Sequence, residues 1–148
     1  MKRVINFTIA IIFLFAMLPL QPAQGVLCRG SLEVTNTDDS GPGSLRQVLL
    51  TACPGDTITF NASLSGLTIS LSTGQLTIDR NVTIDGSTLA SRVSITTDSM
   101  GRVIYVNSGV TATLNSLRIT HGNTTGDGGG IYNLGSLTLN NVALIDNL

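Results

Sequence analysis

The chain has 148 residues, of which 11% are charged and 4% are aromatic, and it contains no tryptophan. A chain this apolar with so few aromatic rings must fill its interior with small and branched side chains, which favours β-structure over a helical bundle. The formal net charge is −1 and the cations form no basic stripe, so we expect neither nucleic acid nor an anionic lipid surface as a partner.

The N-terminal segment, from Met1 to Gly25, has the pattern of a secretory signal peptide. Lys2 and Arg3 form a short basic region, residues 7–18 are almost wholly apolar, and a small-x-small site follows, with cleavage after Gly25. The alternative is a retained membrane anchor, but the apolar run is shorter than the roughly 20 residues that a spanning helix needs. We therefore predict a secreted or cell-surface bacterial protein that contacts a membrane only through this cleaved signal or through a C-terminal anchor beyond the sequence.

Cys28 and Cys53 are the only two cysteines in the chain. Export into an oxidising compartment would allow them to pair, so we predict a disulfide that ties the mature N-terminus to the end of a helix. Two unpaired thiols are one alternative. A lipid-modified Cys28 is another, and Leu27 speaks against it because the lipoprotein signal has a small residue at that place.

Residues 26–55 are predicted to form an N-terminal cap. Residues 31–37 alternate between polar and apolar types and read as a short strand. Ser44 then begins a short amphipathic helix over residues 44–52, because Gln47 lies three residues later and completes a capping box. Pro54 and Gly55 end this helix, which is the only one that we predict in the mature chain.

Residues 56–148 are predicted to be rungs of a parallel β-helix. Short runs rich in Thr, Ile, Val and Leu alternate with Gly, Asn, Asp and Ser, and no helix-length segment lies between them. Residue pairs that favour tight hairpin turns are scarce. The predicted strands cover residues 57–60, 67–71, 76–78, 82–84, 93–96, 103–106, 117–120, 137–139 and 142–145.

An internal repeat supports this architecture. Residues 112–122 are similar to residues 137–147, which places Asn115 on Asn140 and Ile119 on Leu144. Residues 76–86 give a looser echo of the same pattern, with one extra residue. A repeat of this length is typical of solenoids, in which each unit buries its apolar face against its neighbours. We predict roughly four rungs, and a fold that is all-β, a right-handed parallel β-helix with a short capping helix.

The segment from Gly126 to Asn133 carries four glycines, of which Gly128, Gly129 and Gly130 are consecutive. A phosphate-binding loop would need a lysine or a following helix, and a calcium-binding repeat would need the motif more than once. We predict a sharp bend with positive φ or a close approach to the neighbouring rung.

Two segments carry a family resemblance. The G-G-I-Y of residues 129–132, followed by the L-I-D-N of residues 144–147, resembles the paired G-G and F-x-x-N repeats of chlamydial-type polymorphic outer-membrane proteins, with Leu144 in place of the aromatic residue. The G-S-L-R-Q-V-L of residues 43–49 resembles the CSLREA-type start of bacterial right-handed β-helix proteins. It differs from that motif at its first, fifth and sixth residues.

This resemblance implies a large secreted or surface-attached protein with further rungs and a C-terminal anchor or sorting signal. No polar capping segment precedes Leu148, so we expect the chain to be a fragment of such a protein.

We predict no catalytic residue, no cofactor and no metal site. Glycoside hydrolysis needs clustered carboxylates, and a lyase needs a base together with acidic calcium ligands. The candidate acidic residues are scattered singly, at Asp79, Asp85, Asp98, Asp127 and Asp146. Asp79 and Asp85 lie in adjacent turns and are the pair with a chance of approaching each other. His121, the only histidine, reads as a turn residue.

The function that we expect is that of a non-enzymatic, adhesin-like surface protein whose flat faces present Thr, Ser and Asn to a glycan or to a host or cell-surface protein. The alternative is the N-terminal part of a carbohydrate-active β-helix enzyme, such as a polysaccharide lyase or a glycoside hydrolase, since the same fold serves both classes.

Overall fold

The computed structural model describes residues 32–148. One α-helix and twelve strands make up the regular structure of this part of the chain, together with a short 3₁₀ turn at Ala62–Leu64. In chain order they are β1 (Leu32–Val34), α1 (Leu45–Thr51), β2 (Asp56–Phe60), β3 (Thr68–Ser70), β4 (Leu76–Ile78), β5 (Val82–Asp85), β6 (Ser94–Thr96), β7 (Ile104–Val106), β8 (Thr111–Asn115), β9 (Arg118–Thr120), β10 (Ile131–Asn133), β11 (Ser136–Asn140) and β12 (Ala143–Ile145).

The strands form three sheets in which every pair is parallel. The first sheet has the order β1-β2-β5-β8-β11, the second β12-β9-β6-β3 and the third β10-β7-β4. Each of the first three coils supplies one strand to each sheet in turn, and the last described coil supplies β11 to the first sheet and β12 to the second. About four coils are stacked in this way, which confirms the predicted parallel β-helix with a small cap helix.

The predicted repeat is confirmed in the register of the strands. Asn140 lies beside Asn115 in the first sheet, and Leu144 lies beside Ile119 in the second. The looser echo was wrong in phase, because residues 76–78 form β4 of the third sheet and β5 is the strand that pairs with β8. Both β4 and β5 contain Thr followed by Ile, so sequence similarity alone does not show which of the two strands pairs with β8.

Two strands were missing from the sequence prediction. Residues 111–115 form β8, and residues 131–133, which we expected to be part of a bend, form β10. Each strand has only two apolar residues, Ala112 and Leu114 in β8 and Ile131 and Tyr132 in β10, so the sequence signal for a strand is weak.

Stacked aliphatic side chains fill the interior. Ile58, Ile84 and Leu114 are adjacent in the first sheet and are fully buried, as are Ile69, Ile95 and Ile119 in the second. Leu144 continues this second stack but is 52% exposed, because no described coil covers it. Branched side chains suit these positions because they pack well between parallel strands.

The outer face of the first sheet carries two polar rows. Thr57, Thr83, Thr113 and Thr138 lie side by side, one from each coil. In the second row, the Asn140 Nδ2 atom donates to the Asn115 Oδ1 atom at 2.9 Å. Side chains of one type thus repeat with the strand spacing of about 4.8 Å.

Helix α1 lies in the cap, between β1 and β2, and buries Leu45, Val48 and Leu49. Ser44 is its N-cap, since the Ser44 Oγ atom accepts a hydrogen bond from the Gln47 N–H at 3.2 Å. The Ser44 N–H donates to the Gly41 carbonyl oxygen, where a full capping box would use the Gln47 side chain. The helix covers interior residues that would otherwise face water at this end of the stack.

Asp39 and Arg46 join this cap to the coil that follows it through hydrogen bonds and an ion pair. The Asp39 carboxylate accepts hydrogen bonds from the backbone N–H groups of Ser72 and Thr73 and pairs with Arg46 at 2.6 Å. The Arg46 guanidinium also donates to the carbonyl oxygen of Gln75 at 2.9 Å.

The glycine-rich turn brings two coils close together. Gly128 has φ +72°, a conformation that side-chain-bearing residues rarely adopt, and a Cβ atom there would lie 2.6 Å from the Ile131 carbonyl oxygen. A Cβ atom on Gly129 would collide with the carbonyl oxygen of Leu148, and one on Gly130 would lie 2.8 Å from the Asn147 side chain. The two halves of the repeat motif therefore pack against each other.

Arg102 holds this turn from outside. Its guanidinium donates to the carbonyl oxygens of Gly128 and Asp127, at 3.0 and 2.8 Å. It also lies 4.6 Å from the ring centre of Tyr132, which stacks on Tyr105 with centroids 5.5 Å apart. The stack joins the neighbouring strands β7 and β10 on the outer face of the third sheet.

The predicted signal peptide, its cleavage after Gly25 and Cys28 lie in residues 1–31, outside the described residues. Cys53 is buried, and the described part of the chain has no free cysteine. Its pairing with Cys28 stays a prediction because Cys28 is not described. No helix within residues 32–148 is long and apolar enough to cross a membrane.

Candidate functional site

The outer face of the second sheet forms the floor of a groove. Ile69, Ile95 and Ile119 point into the core, so the residues on either side of them face outward. Two of these outward residues are Ser94 and Thr96, which are only 8% and 3% exposed. Side chains on an outer face are usually exposed. Ser94 and Thr96 are covered because turns project beyond the sheet on both of its sides.

One wall of the groove consists of turn residues from three successive coils. Asp98, His121 and Asp146 follow β6, β9 and β12, and their φ values are 51°, 53° and 52°. Aspartate and histidine are among the side-chain-bearing residues that adopt this left-handed conformation most readily. A left-handed residue thus occurs at this corner in three successive coils, with Asp98 one residue further from its strand than His121 and Asp146 are, and all three side chains line the groove.

His121 lies at the centre of this wall. Its Nδ1 atom is 2.8 Å from the Thr120 hydroxyl oxygen, and its Nε2 atom is 4.0 Å from the Asp146 Oδ2 atom. Both side chains are open to solvent, with 54% of His121 and 71% of Asp146 exposed. On the other side of His121 along the groove, the Asp98 carboxylate accepts a hydrogen bond from Thr96 at 3.4 Å.

The opposite wall is the connection between the first and second sheets. Residues 86–92 form a loop there, and the Arg92 guanidinium reaches across to the backbone oxygen of Asn141 at 3.0 Å and to its side-chain oxygen. The space above the floor is about 340 Å³, and a second hollow of about 410 Å³ adjoins it under the loop. Arg118 lines both spaces and stands between them.

Arg118 differs from the other described arginines. Within residues 32–148, its guanidinium makes no hydrogen bond or ion pair with the protein, whereas the other four all do. Arg46 and Arg80, for example, each pair with an aspartate and also donate to backbone carbonyl oxygens. The donors of Arg118 are therefore available to a ligand.

The structure corrects the expectation that the acidic residues are all isolated. Asp98 and Asp146 meet His121 in one groove, although the two aspartates belong to different coils and are far apart in the sequence. The connections between strands differ in length from coil to coil, so the sequence alone does not show which residues of different coils lie side by side.

The remaining candidate acids lie apart from this groove. Asp79 pairs with Arg80 at 2.7 Å, and the hydrogen bond from Arg80 lowers the pKa of Asp79. Asp85 is the last residue of β5, and its carboxylate accepts a hydrogen bond from the Ser87 N–H. Asp79 lies before the start of this strand. These two residues do not form a pair, and Asp127 lies in the glycine-rich turn. No three His, Cys, Asp or Glu side chains in residues 32–148 are placed to hold a metal ion.

Sequence reasoning missed Arg118, Ser94 and Thr120 as site residues. A signal for them exists in the register of the repeat, because Ile119 is an inner position and its neighbours in L-R-I-T must then face outward. Applied to every coil, this rule would have predicted the polar floor.

No family model, no curated protein and no solved structure matches the chain. The resemblance of the cap and repeats to surface β-helix proteins therefore stays an expectation.

Proposed function

We propose that the protein is an exported, adhesin-like β-helix that binds a glycan or a cell-surface protein through its polar outer faces and does not cleave it. The observation that carries this proposal is the set of in-register polar side chains on two faces. They comprise the threonine and asparagine rows of the first sheet and the hydroxyl floor of the second.

A stacked solenoid is suited to this role for a physical reason. The aliphatic interior and the parallel ladders hold the outer side chains in place, so little conformational entropy is lost when a ligand binds. Thr113 and Thr138, for instance, have short side chains and are locked by the register of β8 and β11. Repeating polymers such as polysaccharides present groups at regular intervals, which a regular protein face can match.

A second function is favoured by one specific observation. Asp98 and Asp146 flank His121 in the groove over the second sheet. Glycoside hydrolysis uses a pair of carboxyl groups close to the scissile sugar bond, and a histidine can act as a general base. The competing proposal is therefore a carbohydrate-active enzyme with these three residues in its active site.

The experiment that separates the two proposals uses the full chain, expressed in a bacterial host with its own N-terminus. We expect the protein outside the cytoplasm, bound to glycan-coated or cell surfaces, with no release of reducing or unsaturated sugar ends during long incubation. Retention of a fully folded protein in the cytoplasm would contradict export. Sugar release that is abolished in Asp98→Asn and Asp146→Asn, but not in Asp127→Asn, would establish the enzyme instead.

A further inference from the structure

We propose that the groove over the second sheet binds a carbohydrate that carries a carboxylate, with Arg118 as the residue that binds the acid group. This inference rests on the proposed function, because it names the site and the ligand class within it. It is carried by three features of the groove: a guanidinium that is unpaired within residues 32–148, a hydroxyl floor and an acidic wall.

The first feature is the state of Arg118. A guanidinium offers five N–H donors in a planar fork, and this geometry matches a carboxylate in a bidentate pair. In residues 32–148, the other arginines direct donors to the protein, whereas Arg118 directs none and lines both hollows of the groove. A ligand at this point therefore meets a cation with no competing partner among these residues.

The second feature is the floor. Ser94 is only 8% exposed, yet its hydroxyl group makes no hydrogen bond within the described residues and lines the groove. Thr68 lies next to Ser94 in the sheet and also lines the groove. These hydroxyl groups are placed to donate to, or accept from, the ring and hydroxyl oxygens of a sugar, which contain both kinds of partner.

The third feature is the opposite charge of the wall. Asp98 and Asp146 are acceptors and face the same space as the Arg118 cation. Two carboxylates repel a ligand that is anionic all round, such as phosphate or a nucleic acid backbone. In an oligomer of sugar acids each ring has one carboxylate and several hydroxyl donors, so one carboxylate can pair with Arg118 while hydroxyl groups donate to the aspartates.

The dimensions fit a short oligosaccharide. The groove includes residues from Thr68 in the first coil to Asp146 in the fourth, which is three strand spacings, or about 14 Å. Its volume of about 340 Å³ lies within the range of small-molecule sites, and the adjoining hollow extends it past Arg118.

The test measures binding to the purified full chain by isothermal titration calorimetry. The probes are trigalacturonate and its methyl ester, which keeps the hydroxyl groups and removes the charge. We expect trigalacturonate to bind and both the ester and the Arg118→Gln variant to lose at least about tenfold in affinity, since each loses the charge-assisted hydrogen bonds between guanidinium and carboxylate. Arg118→Lys should recover only part of the loss, because an ammonium cannot form the bidentate pair.

The matched control is Arg80→Gln, which removes the same charge at the end of α1, away from the groove, and should leave the affinity unchanged. Circular dichroism spectra like that of the unaltered protein show that each variant is folded. Equal binding of acid and ester, or full affinity in Arg118→Gln, would overturn the inference. Competition by inorganic sulfate at equal concentration would also overturn it, by showing a general anion site.

Failure of this inference is distinguishable from failure of the proposed function. If the exported protein binds cells or neutral glycans while trigalacturonate does not bind, the adhesin-like role stands and the Arg118 site falls. If trigalacturonate binds through Arg118 and is then cleaved, the inference stands and the non-enzymatic role falls.

Discussion

Asp39 shows how one side chain holds the cap in place. Burial by itself would raise the pKa of Asp39, but hydrogen bonds from Thr73, Arg46 and Ser72 outweigh it and lower the pKa from 3.8 to about 2. The charged form is therefore favoured by folding. Ser72 and Thr73 lie 33 and 34 residues further along the chain, so this carboxylate links the cap to the coil that follows it.

The lowered pKa predicts a pH dependence of stability. Since the pKa of Asp39 is lower in the folded state, its contribution is complete above about pH 4 and is lost as the pH falls towards 2. Replacing Asp39 by Asn should cost about 1–2 kcal/mol of unfolding free energy at pH 6, and less at pH 2. Urea unfolding of both proteins at the two pH values measures this difference.

Asp38→Asn is the control for this prediction, because Asp38 is exposed and its side chain makes no hydrogen bond within the described residues. It should leave the unfolding free energy within about 0.5 kcal/mol at both pH values. An Asp39→Asn penalty that is the same at pH 6 and pH 2 would show that the carboxylate charge does not hold the cap.

Within a strand, residues alternate between the inner and the outer face of the sheet. In β5, Val82 and Ile84 are buried, whereas Thr83 and Asp85 lie on the outer face. The inner residues stack on β2 below and β8 above, so each strand shares its apolar face with two neighbours. A strand this short is therefore stable only as part of the stack.

This arrangement predicts a large difference between adjacent substitutions in β5. Ile84→Ala removes a fully buried side chain from between two others and should cost about 2–5 kcal/mol. Thr83→Ala, the matched control on the outer face, should cost less than about 1 kcal/mol. Urea unfolding curves of the two variants measure the difference, and equal penalties would contradict the assigned register.

The sequence predicted most elements because alternation and turn residues are local signals. Ser44 and Gln47 located the helix to within one residue, and the internal repeat located the last coil. The phase of β4 and β5 was lost because the corners between strands vary in length. The three glycines before residues 131–133 predict a bend there, whereas these residues form β10.

In the whole molecule, the corners between strands vary in length from coil to coil, whereas the strands are constrained by their register. Successive coils place Ile58, Ile84, Leu114 and Leu139 side by side in the first sheet, and the spacing of these residues along the chain is unequal. The strands nevertheless keep the same alternation in every coil. The excess residues lie in loops such as residues 86–92, which project outward and build one wall of the groove.

The molecule should therefore accept insertions in corners but not in strands. Adding Gly-Ser-Gly after Thr125, in the exposed corner before β10, should cost less than about 1 kcal/mol, since loop closure depends weakly on length. A single glycine between Thr113 and Leu114 should destroy the fold, because it turns the rest of β8 inside out. Circular dichroism and thermal unfolding measure both effects, and the opposite order would contradict the coil assignment.

The sequence by itself determined the class of fold, the place of the short cap helix and the register of the last two coils. These properties depend on local alternation, on turn chemistry and on a repeat that can be counted along the chain. Only the tertiary structure decided that Asp98, His121 and Asp146 share a groove and that Arg118 stands in it without a partner among the described residues. The physical reason is that stacking joins side chains from different coils, while the number of residues between those coils is not constant.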